Sequence, residues 1–312
     1  MNAELTMDIA GRPSSAMRVP PHAHTGTEQA VASVAAEVFA ALEAKQLDLP
    51  TLPEVARKIL DMIDDVNVSA DEVVNLISAC PAISMHIIRA ANSAPFIKGD
   101  LAGSLRSAIS NLGYRSLRNM VMNITTNKQI QAQCPLIKQQ LKRLWDHSRE
   151  VAAISYVLAC QQKHLKPEQA MLAGMVHDIG ALPLYLYADH HYSRFDQAML
   201  AELIRRFSVS VGVSLLKNWN FPDTLVEVVE GHENMRRASP YNLADYADVV
   251  TMASLQIQGA AKYVAWRNVL AAERLGYYPE DCQNFLSNHA NQLAQARSML
   301  HVDLTGMASS HH

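Results

Sequence analysis

Apolar positions recur along most of the chain at the spacing of amphipathic helices. After Pro53, a residue type favoured at the first helical position, Val55, Ile59, Met62 and Ile63 follow at i, i+4, i+7 and i+8 and so share one helix face. Strand-like alternation bounded by Asn-Gly or Asp-Gly turns does not occur in the sequence. The pattern therefore predicts an all-α fold.

Two local signals mark further helix starts. Ser69 and Glu72 stand three residues apart before an apolar run, which is the spacing of a capping box. Pro81 opens another predicted helix, whose buried side is formed by isoleucines: Ile83, Ile87 and Ile88. The same reasoning predicts later helices over these ranges: 141–162, 167–182, 189–206, 208–218, 222–234, 240–258 and 280–300.

The predicted helices fall into two packed lobes. We assign a flexible tail to residues 1–26, an N-terminal helical lobe to 27–130, a second helical lobe to 135–300 and a tail to 301–312. The boundary lies in a Gln-rich stretch over 128–140 that Pro135 interrupts, although Leu136 and Ile137 fit a continuous helical connection equally well. We expect an apolar interface between the lobes, because their helices carry more apolar residues than one buried stripe requires.

The composition excludes several classes of protein. Hydrophobic residues make up 49% and charged residues 18% of the 312 residues, which excludes a disordered chain. The net charge of −3 gives no indication of the basic surface that binding to nucleic acid or to an anionic membrane would need. No run approaches the roughly 18 apolar residues of a membrane span, and the first 26 residues have no apolar signal core. We therefore expect no nucleic-acid partner, no membrane association and a cytoplasmic location.

The four cysteines support a reducing compartment. They are widely spaced and form no CxxC pair, which argues against a zinc ribbon or a thioredoxin-like site. We interpret all four as small buried hydrophobic residues: Cys80, Cys134, Cys160 and Cys282.

An imidazole and a carboxylate stand together in an apolar segment. His177 and Asp178 lie within Gly-Met-Val-His-Asp-Ile-Gly, which the pattern places inside a helix. Charged groups rarely occur in such a run unless something offsets their desolvation, and a divalent metal ion does so by binding nitrogen and carboxylate ligands together. The alternative is a capped helix end at which the pair is only hydrogen-bonded.

Two other residues extend the candidate metal site. His147 lies upstream on an amphipathic helix that could return antiparallel beside His177, and Asp248 interrupts a later apolar helix. Together with His177 and Asp178 they would supply two imidazoles and two carboxylates to one divalent metal ion of unidentified type. Asp245 competes with Asp248 for this role, but its position also suits solvent exposure or a helix start.

The order and spacing of several segments resemble the HDOD family of bacterial proteins, a relative of the HD superfamily of metal-dependent phosphohydrolases. The resemblance spans about residues 45–260. Its segments are Leu49-Pro50-Thr51-Leu52-Pro53-Glu54-Val55, Pro81-Ala82-Ile83-Ser84, Arg89-Ala90-Ala91-Asn92-Ser93-Ala94, Ser107-Ala108-Ile109, Leu112-Gly113, Leu144-Trp145-Asp146-His147-Ser148, Ala173 to Gly180, and Gly212 to Pro222. It implies that the second lobe is HD-like and that both lobes form one HDOD-type unit.

The resemblance also implies a ligand set. The H…HD…D pattern of HD enzymes falls on His147, His177, Asp178 and Asp248, and His232 with Glu233 resembles the His-Glu pair that supplies a further ligand in two-metal relatives. Two positions depart from those relatives, because Gly231 stands where a His often precedes this pair and Ala181 stands where a Lys frequently follows the HD segment. The missing Lys removes a cation that could hold a substrate phosphate.

Other candidate segments have structural interpretations. Asn92 and Ser93 suit a helix-ending turn, since both residue types favour caps and local backbone bonds. Trp219, Phe221 and Pro222 suit a packed corner between helices. Tyr and His residues after the HD segment could line a pocket or form a polar surface: Tyr185, Tyr187, His190 and His191.

Two functions stay open at this point. The first is a signalling or regulatory protein that binds another signalling protein and whose HD-like site is degenerate. The second is an active metal-dependent phosphohydrolase that acts on a phosphoester or nucleotide, with a metal-bound water as the nucleophile. The missing Lys favours the first function and the intact four-residue pattern favours the second.

Overall fold

The fold is entirely helical wherever the structure describes it. The computed structural model describes residues 24–44, 59–60, 62–63, 69–78, 80–93, 100–126, 132–191, 195–239 and 242–300, and no strand occurs among them. The predicted all-α class is therefore confirmed. Pro53, Val55 and the C-terminal tail lie outside the described residues, and so does most of the predicted N-terminal tail, of which 24–26 belong to a helix.

Five helices form the first half of the described chain. They are α1 (His24–Glu43), α2 (Ala70–Ser78), α3 (Pro81–Ala91), α4 (Leu105–Leu112) and α5 (Tyr114–Thr126). The predicted capping box is present, because Glu72 accepts a bond from the Ser69 backbone N–H at 2.8 Å and its own N–H reaches Ser69 Oγ at 3.3 Å. Helix α3 begins at Pro81 as predicted.

The second half contains longer helices. They are α6 (Pro135–Cys160), α7 (Pro167–Val176), α8 (Ala181–His190), α9 (Gln197–Asn218), α10 (Asp223–Gly231), α11 (Tyr246–Gln256), α12 (Leu270–Arg274), α13 (Pro279–Asn288) and α14 (Ala290–Leu300). Short 3₁₀ helices occupy Ile257–Lys262 and Trp266–Asn268.

Several boundaries differ from the sequence prediction. Pro135 begins α6 instead of interrupting the chain, since a proline at the first helical position loses no hydrogen bond. The predicted helix over 167–182 ends at Val176, and Pro183 lies in the first turn of α8 instead of stopping a helix. The ranges 189–206 and 208–218 were predicted as separate helices, whereas Gln197–Asn218 is continuous.

Apolar residues from both halves form one core. The cluster of buried side chains runs from Val31 to Leu300. Helix α1, which the domain prediction assigns to the first lobe, packs against α8 and α9, and α14 packs against both α6 and α2. Helix α11 packs against α6, α7 and α10. Of these three helices, α6 carries His147 in its middle, whereas α7 and α10 end just before His177 and His232.

The cysteines are all free thiols. Cys80 and Cys282 are buried as predicted, whereas Cys134 is half-buried. The prediction is wrong for Cys160, which is exposed because it is the last residue of α6 and lies on the side away from the buried Leu158 and Ala159.

Among the described residues, no single helix is long and apolar enough to cross a membrane. One pair, Ala70–Ser78 with Ile83–Ala91, meets the length and composition requirement only when it is joined across a bend of 118°.

Candidate metal centre

His177 and Asp178 lie in a tight turn between α7 and α8. The sequence prediction of a continuous helix is wrong here, because residues 177–180 form turns closed by the Ile179 N–H on Val176 O and the Ala181 N–H on Asp178 O, each 3.0 Å long. A Cβ at Gly180 would lie 1.9 Å from the carbonyl oxygen of Ser208 on α9. The chain can therefore turn against α9 only where residue 180 has no side chain.

The backbone fixes the orientation of the His177 ring. Its Nδ1 lies 2.7 Å from the carbonyl oxygen of Gly174, so Nδ1 carries the proton and donates to that oxygen. The lone pair is then on Nε2, which points away from α7. A histidine whose second ring nitrogen is held by a carbonyl is the usual arrangement for a metal ligand.

His147 and Asp178 converge on this nitrogen. His147 lies on α6, and its Nε2 is 3.1 Å from His177 Nε2. Asp178 Oδ2 is 3.4 Å from His177 Nε2 and 3.7 Å from His147 Nε2. Two ligands of one ion are at most about 4.2 Å apart, twice a metal–ligand bond of about 2.1 Å, so all three separations suit a shared metal ion.

His232 lies on the other side of the same carboxylate. It follows the last residue of α10, and its Nδ1 lies 3.1 Å from Val228 O and 3.2 Å from Val229 O. Its Nε2 is 3.5 Å from Asp178 Oδ1 and 4.0 Å from Glu233 Oε1. Asp178 thus presents one oxygen to His147 and His177 and the other to His232.

The donor set favours a transition metal. The ligand atoms fall into two groups that share Asp178: His147, His177 and Asp178, and Asp178, His232 and Glu233. The side chains of His147, His177, Asp178 and His232 are each at most 8% exposed. Imidazole nitrogens with carboxylates suit Mn, Fe, Co, Ni or Zn better than an all-oxygen site for Ca²⁺. The residues therefore fit a divalent transition metal ion, and its binding stays a prediction.

Asp248 lies outside both groups. Arg274 Nε donates to Asp248 Oδ2 at 2.8 Å and Arg274 Nη2 donates to Oδ1, while Arg237 Nη2 donates to Oδ1 at 3.0 Å. Both carboxylate oxygens are thus held by guanidinium groups. The sequence pattern makes Asp248 the fourth ligand, but the structure pairs it with two cations instead of the imidazoles.

Asp245 occupies a helix start, which was one of its two predicted roles. Its side chain accepts a bond from the Asp248 N–H at 3.0 Å and caps α11. Its carboxylate also accepts a bond from Arg237. Burial lowers the pKa of Arg237. Its hydrogen bonds to Asp245 and Asp248 and the negative charge of both carboxylates outweigh this effect and hold the pKa above its ordinary value.

The two departures from two-metal relatives have structural causes. A Cβ at Gly231 would lie 2.6 Å from Arg237 Cδ, so the Arg237 side chain occupies the space of a side chain at residue 231. Ala181 is only 3% exposed and belongs to the apolar core at the start of α8. Neither position offers a free cation or imidazole to the metal centre.

The remaining candidate residues have structural contacts. Tyr187 stacks on His191 with ring centroids 4.2 Å apart, and its hydroxyl donates to Glu37 of α1. These contacts join α8 to α1. Asn92 caps the end of α3, as predicted, and Phe221 is buried beside Trp219 at the corner between α9 and α10.

Sequence patterns did not predict the contacts of two polar residues, Arg274 and Asp189. Arg274 is predicted by no motif, because it lies outside the resemblance and its partner Asp248 is distant in sequence. Asp189 accepts bonds from the Gln133 and Cys134 N–H groups at 2.8–3.0 Å and thereby ties the segment just before α6 to the end of α8. A buried Asp in an apolar helix was the available signal for Asp189.

Comparison with known proteins identifies the family. The model of the HDOD domain matches residues 49–235. The chain belongs to the HDOD family. A relative from Treponema pallidum, an uncharacterized protein, is 21% identical over 226 residues, which cover 68% of this chain and 42% of that protein. The chain thus spans less than half the length of this curated relative.

Solved structures share the fold. The MmoQ response regulator of Methylococcus capsulatus matches with a TM-score of 0.58 and 22% identity over 79% of this chain and 98% of that one. A protein of Shewanella amazonensis, provisionally named a metal-dependent phosphohydrolase, matches with a TM-score of 0.51 and 23% identity over 89% of this chain and 100% of that one. At these identities the likeness concerns the fold alone.

Proposed function

We propose that this HDOD protein is a cytoplasmic signalling protein whose HD-like centre binds a divalent transition metal ion. The observation that carries the proposal is the convergence of His147, His177 and Asp178, whose ligand atoms lie 3.1–3.7 Å from one another although His147 comes from α6 and the other two from the turn after α7. Burying these groups costs free energy, which a bound cation would offset.

Each residue has a distinct part in this centre. His147 and His177 would supply imidazole nitrogens, and Asp178 would supply the negative charge. His232 and Glu233 would complete a second position beside Asp178. When bound, such an ion supplies a Lewis acid and a water of lowered pKa.

The surroundings of the centre favour signalling over turnover. The guanidinium of Arg237, whose side chain lies against Gly231, is bonded to Asp245 and Asp248, and Arg274 is bonded to Asp248. These cations are therefore committed to carboxylates and not placed to bind a phosphate. The fold neighbour named a response regulator is consistent with a protein partner in signalling.

Metal analysis of the purified protein tests this proposal. We expect the protein to retain a divalent transition metal, and His177→Ala combined with Asp178→Ala to lose it while remaining folded by circular dichroism. A panel of phosphomonoesters, phosphodiesters and nucleotides should show slow or no hydrolysis by the metal-loaded protein. Absence of metal under every loading condition would contradict the proposal.

A second candidate is an active phosphohydrolase. The side chain of Glu233 is 46% exposed while its partner His232 is 4% exposed, so the second ligand group is open to solvent on one side. A substrate phosphate could reach the centre from that side. Metal-dependent hydrolysis at roughly 1 to 1000 per second, lost in the double variant, would favour this candidate over the first.

A further inference from the structure

The backbone of α9 contacts the turn over residues 177–180, which we call the metal-centre turn. Gly180 packs so closely that a Cβ there would lie 1.9 Å from Ser208 O and 2.4 Å from Gly212 N. From the opposite side, a Cβ at Gly212 would lie 3.2 Å from Gly180 N. Because main-chain atoms have no alternative rotamers, a shift of the turn that carries His177 and Asp178 must also move α9.

The far end of α9 holds α3. Arg89 of α3 lies over the Trp219 ring with 4.8 Å between the guanidinium carbon and the ring centroid, and Asn220 Nδ2 donates to Asn92 O at 3.0 Å. Asn92 in turn accepts from the Ala102 N–H at 2.7 Å. We call this set, Arg89, Asn92, Ala102, Trp219 and Asn220, the α3–α9 clamp.

Asn220 has the backbone conformation that the clamp needs. Its φ of 57° lies in the left-handed region, which Asn tolerates better than most residues. This conformation ends α9 and directs the side chain to α3. The clamp and the metal-centre turn are thus joined by the segment from Gly212 to Asn220, which spans about 12 Å at 1.5 Å per residue.

We propose that metal occupancy at the centre is transmitted through α9 to the α3–α9 clamp, which makes the clamp the regulated output of the protein. The inference rests on the proposed metal binding. A metal ion that holds His177 and Asp178 against His147 restrains the turn, and the contacts of Gly180 pass this restraint to Ser208 and Gly212. By linkage, weakening the clamp must then change metal affinity by the same factor.

Hydrogen exchange on the unmodified full chain gives the first test, with Zn²⁺ alone as the probe. Zn²⁺ should change the exchange of amides in 89–93, 100–102 and 219–221 as well as in 177–182. Asp178→Ala should abolish both effects. This measurement needs no variant within the clamp, so it does not depend on how well a clamp variant folds.

Zn²⁺ calorimetry on a matched pair of variants gives the second test. Asn220→Gly preserves the left-handed backbone and removes the bond to Asn92 O, and we expect it to change Zn²⁺ affinity about fivefold. Asn242→Gly is the control, because Asn242 has a similar φ of 53° but lies before α11, away from the clamp. Equal Zn²⁺ affinity in Asn220→Gly and the native protein, with exchange changes confined to 177–182, would overturn the coupling and leave the metal centre intact. Failure of the native protein to bind Zn²⁺ or any other divalent metal would instead remove the proposed function and this inference together.

Discussion

Asp178 Oδ1 lies 3.5 Å from His232 Nε2, although Asp178 follows α7 and His232 follows α10. Both of these helices pack against α11. The contact exists because α7 and α10 both end near this point, so that the residues following each helix lie against each other. Asp178 therefore belongs to both ligand groups, whereas each imidazole belongs to one.

This sharing predicts unequal effects of ligand substitutions. Asp178→Ala should abolish metal binding, because it removes the only carboxylate common to both groups. His232→Ala should lower the bound metal while leaving the group of His147, His177 and Asp178 able to bind an ion. Metal-to-protein ratios from elemental analysis test both. Asp189→Asn is the control, since Asp189 is also a buried carboxylate but binds the backbone just before α6. Full metal content in Asp178→Ala would contradict the assignment.

The contact between Gly180 and Ser208 predicts a severe effect of a single methyl group. Gly180→Ala places Cβ against main-chain oxygen, which no rotamer change relieves, and we expect a loss of about 3 kcal/mol of the free energy of unfolding. Gly103→Ala is the matched control, because its nearest atom is the Nε2 end of the flexible Gln169 side chain at 2.8 Å. Denaturant unfolding measures both. Equal stability of the two variants would refute the backbone contact.

The fold was largely predictable because helical periodicity is a local property. The capping box of Ser69 and Glu72, the start at Pro81 and the helix-ending Asn92 all depend on neighbouring residues, and all are present. The break at residue 177 was not predictable from periodicity, since apolar residues continue on both sides of His177 and Asp178. Its cause is the approach of Gly180 to Ser208, a contact between distant segments.

The same distinction applies to the metal centre. The His177-Asp178 pair, His147 and His232 were identified as residue types at family positions, and the structure brings them together. The surroundings of Asp248 were not predictable, because they depend on Arg274 from a helix beyond the resemblance. The motif therefore indicated which residue types bind a metal ion. It did not indicate that Asp248 would instead be paired with an arginine of the protein.

Two buried acids near the C-terminus predict alkaline sensitivity. Burial raises the pKa of Cys282 from 9.0 to about 12, and it raises the pKa of Tyr277 from 10.0 to about 12. Above pH 9 the unfolded chain loses these protons before the folded protein does, so the stabilisation is complete below pH 9 and is lost as the pH rises toward 12. Cys282→Ala should flatten this decline in unfolding free energy, measured in reducing buffer. An identical decline in the variant would contradict the role of Cys282.

The ion pair between Asp248 and Arg274 gives the prediction that separates a structural carboxylate from a metal ligand. Asp248→Asn removes the charge that faces a guanidinium only 3% exposed, and leaving a buried cation without its partner costs about 3–5 kcal/mol. We therefore expect a much lower melting temperature with unchanged metal content. Asp245→Asn should cost only about 1 kcal/mol, because Asn can still cap α11 and the lost charge pair with Arg237 involves a carboxylate that is 32% exposed. Arg274→Met combined with Asp248→Leu should recover part of the lost stability, since both buried charges are then absent. Loss of metal from folded Asp248→Asn would instead establish Asp248 as the fourth ligand and refute its structural assignment.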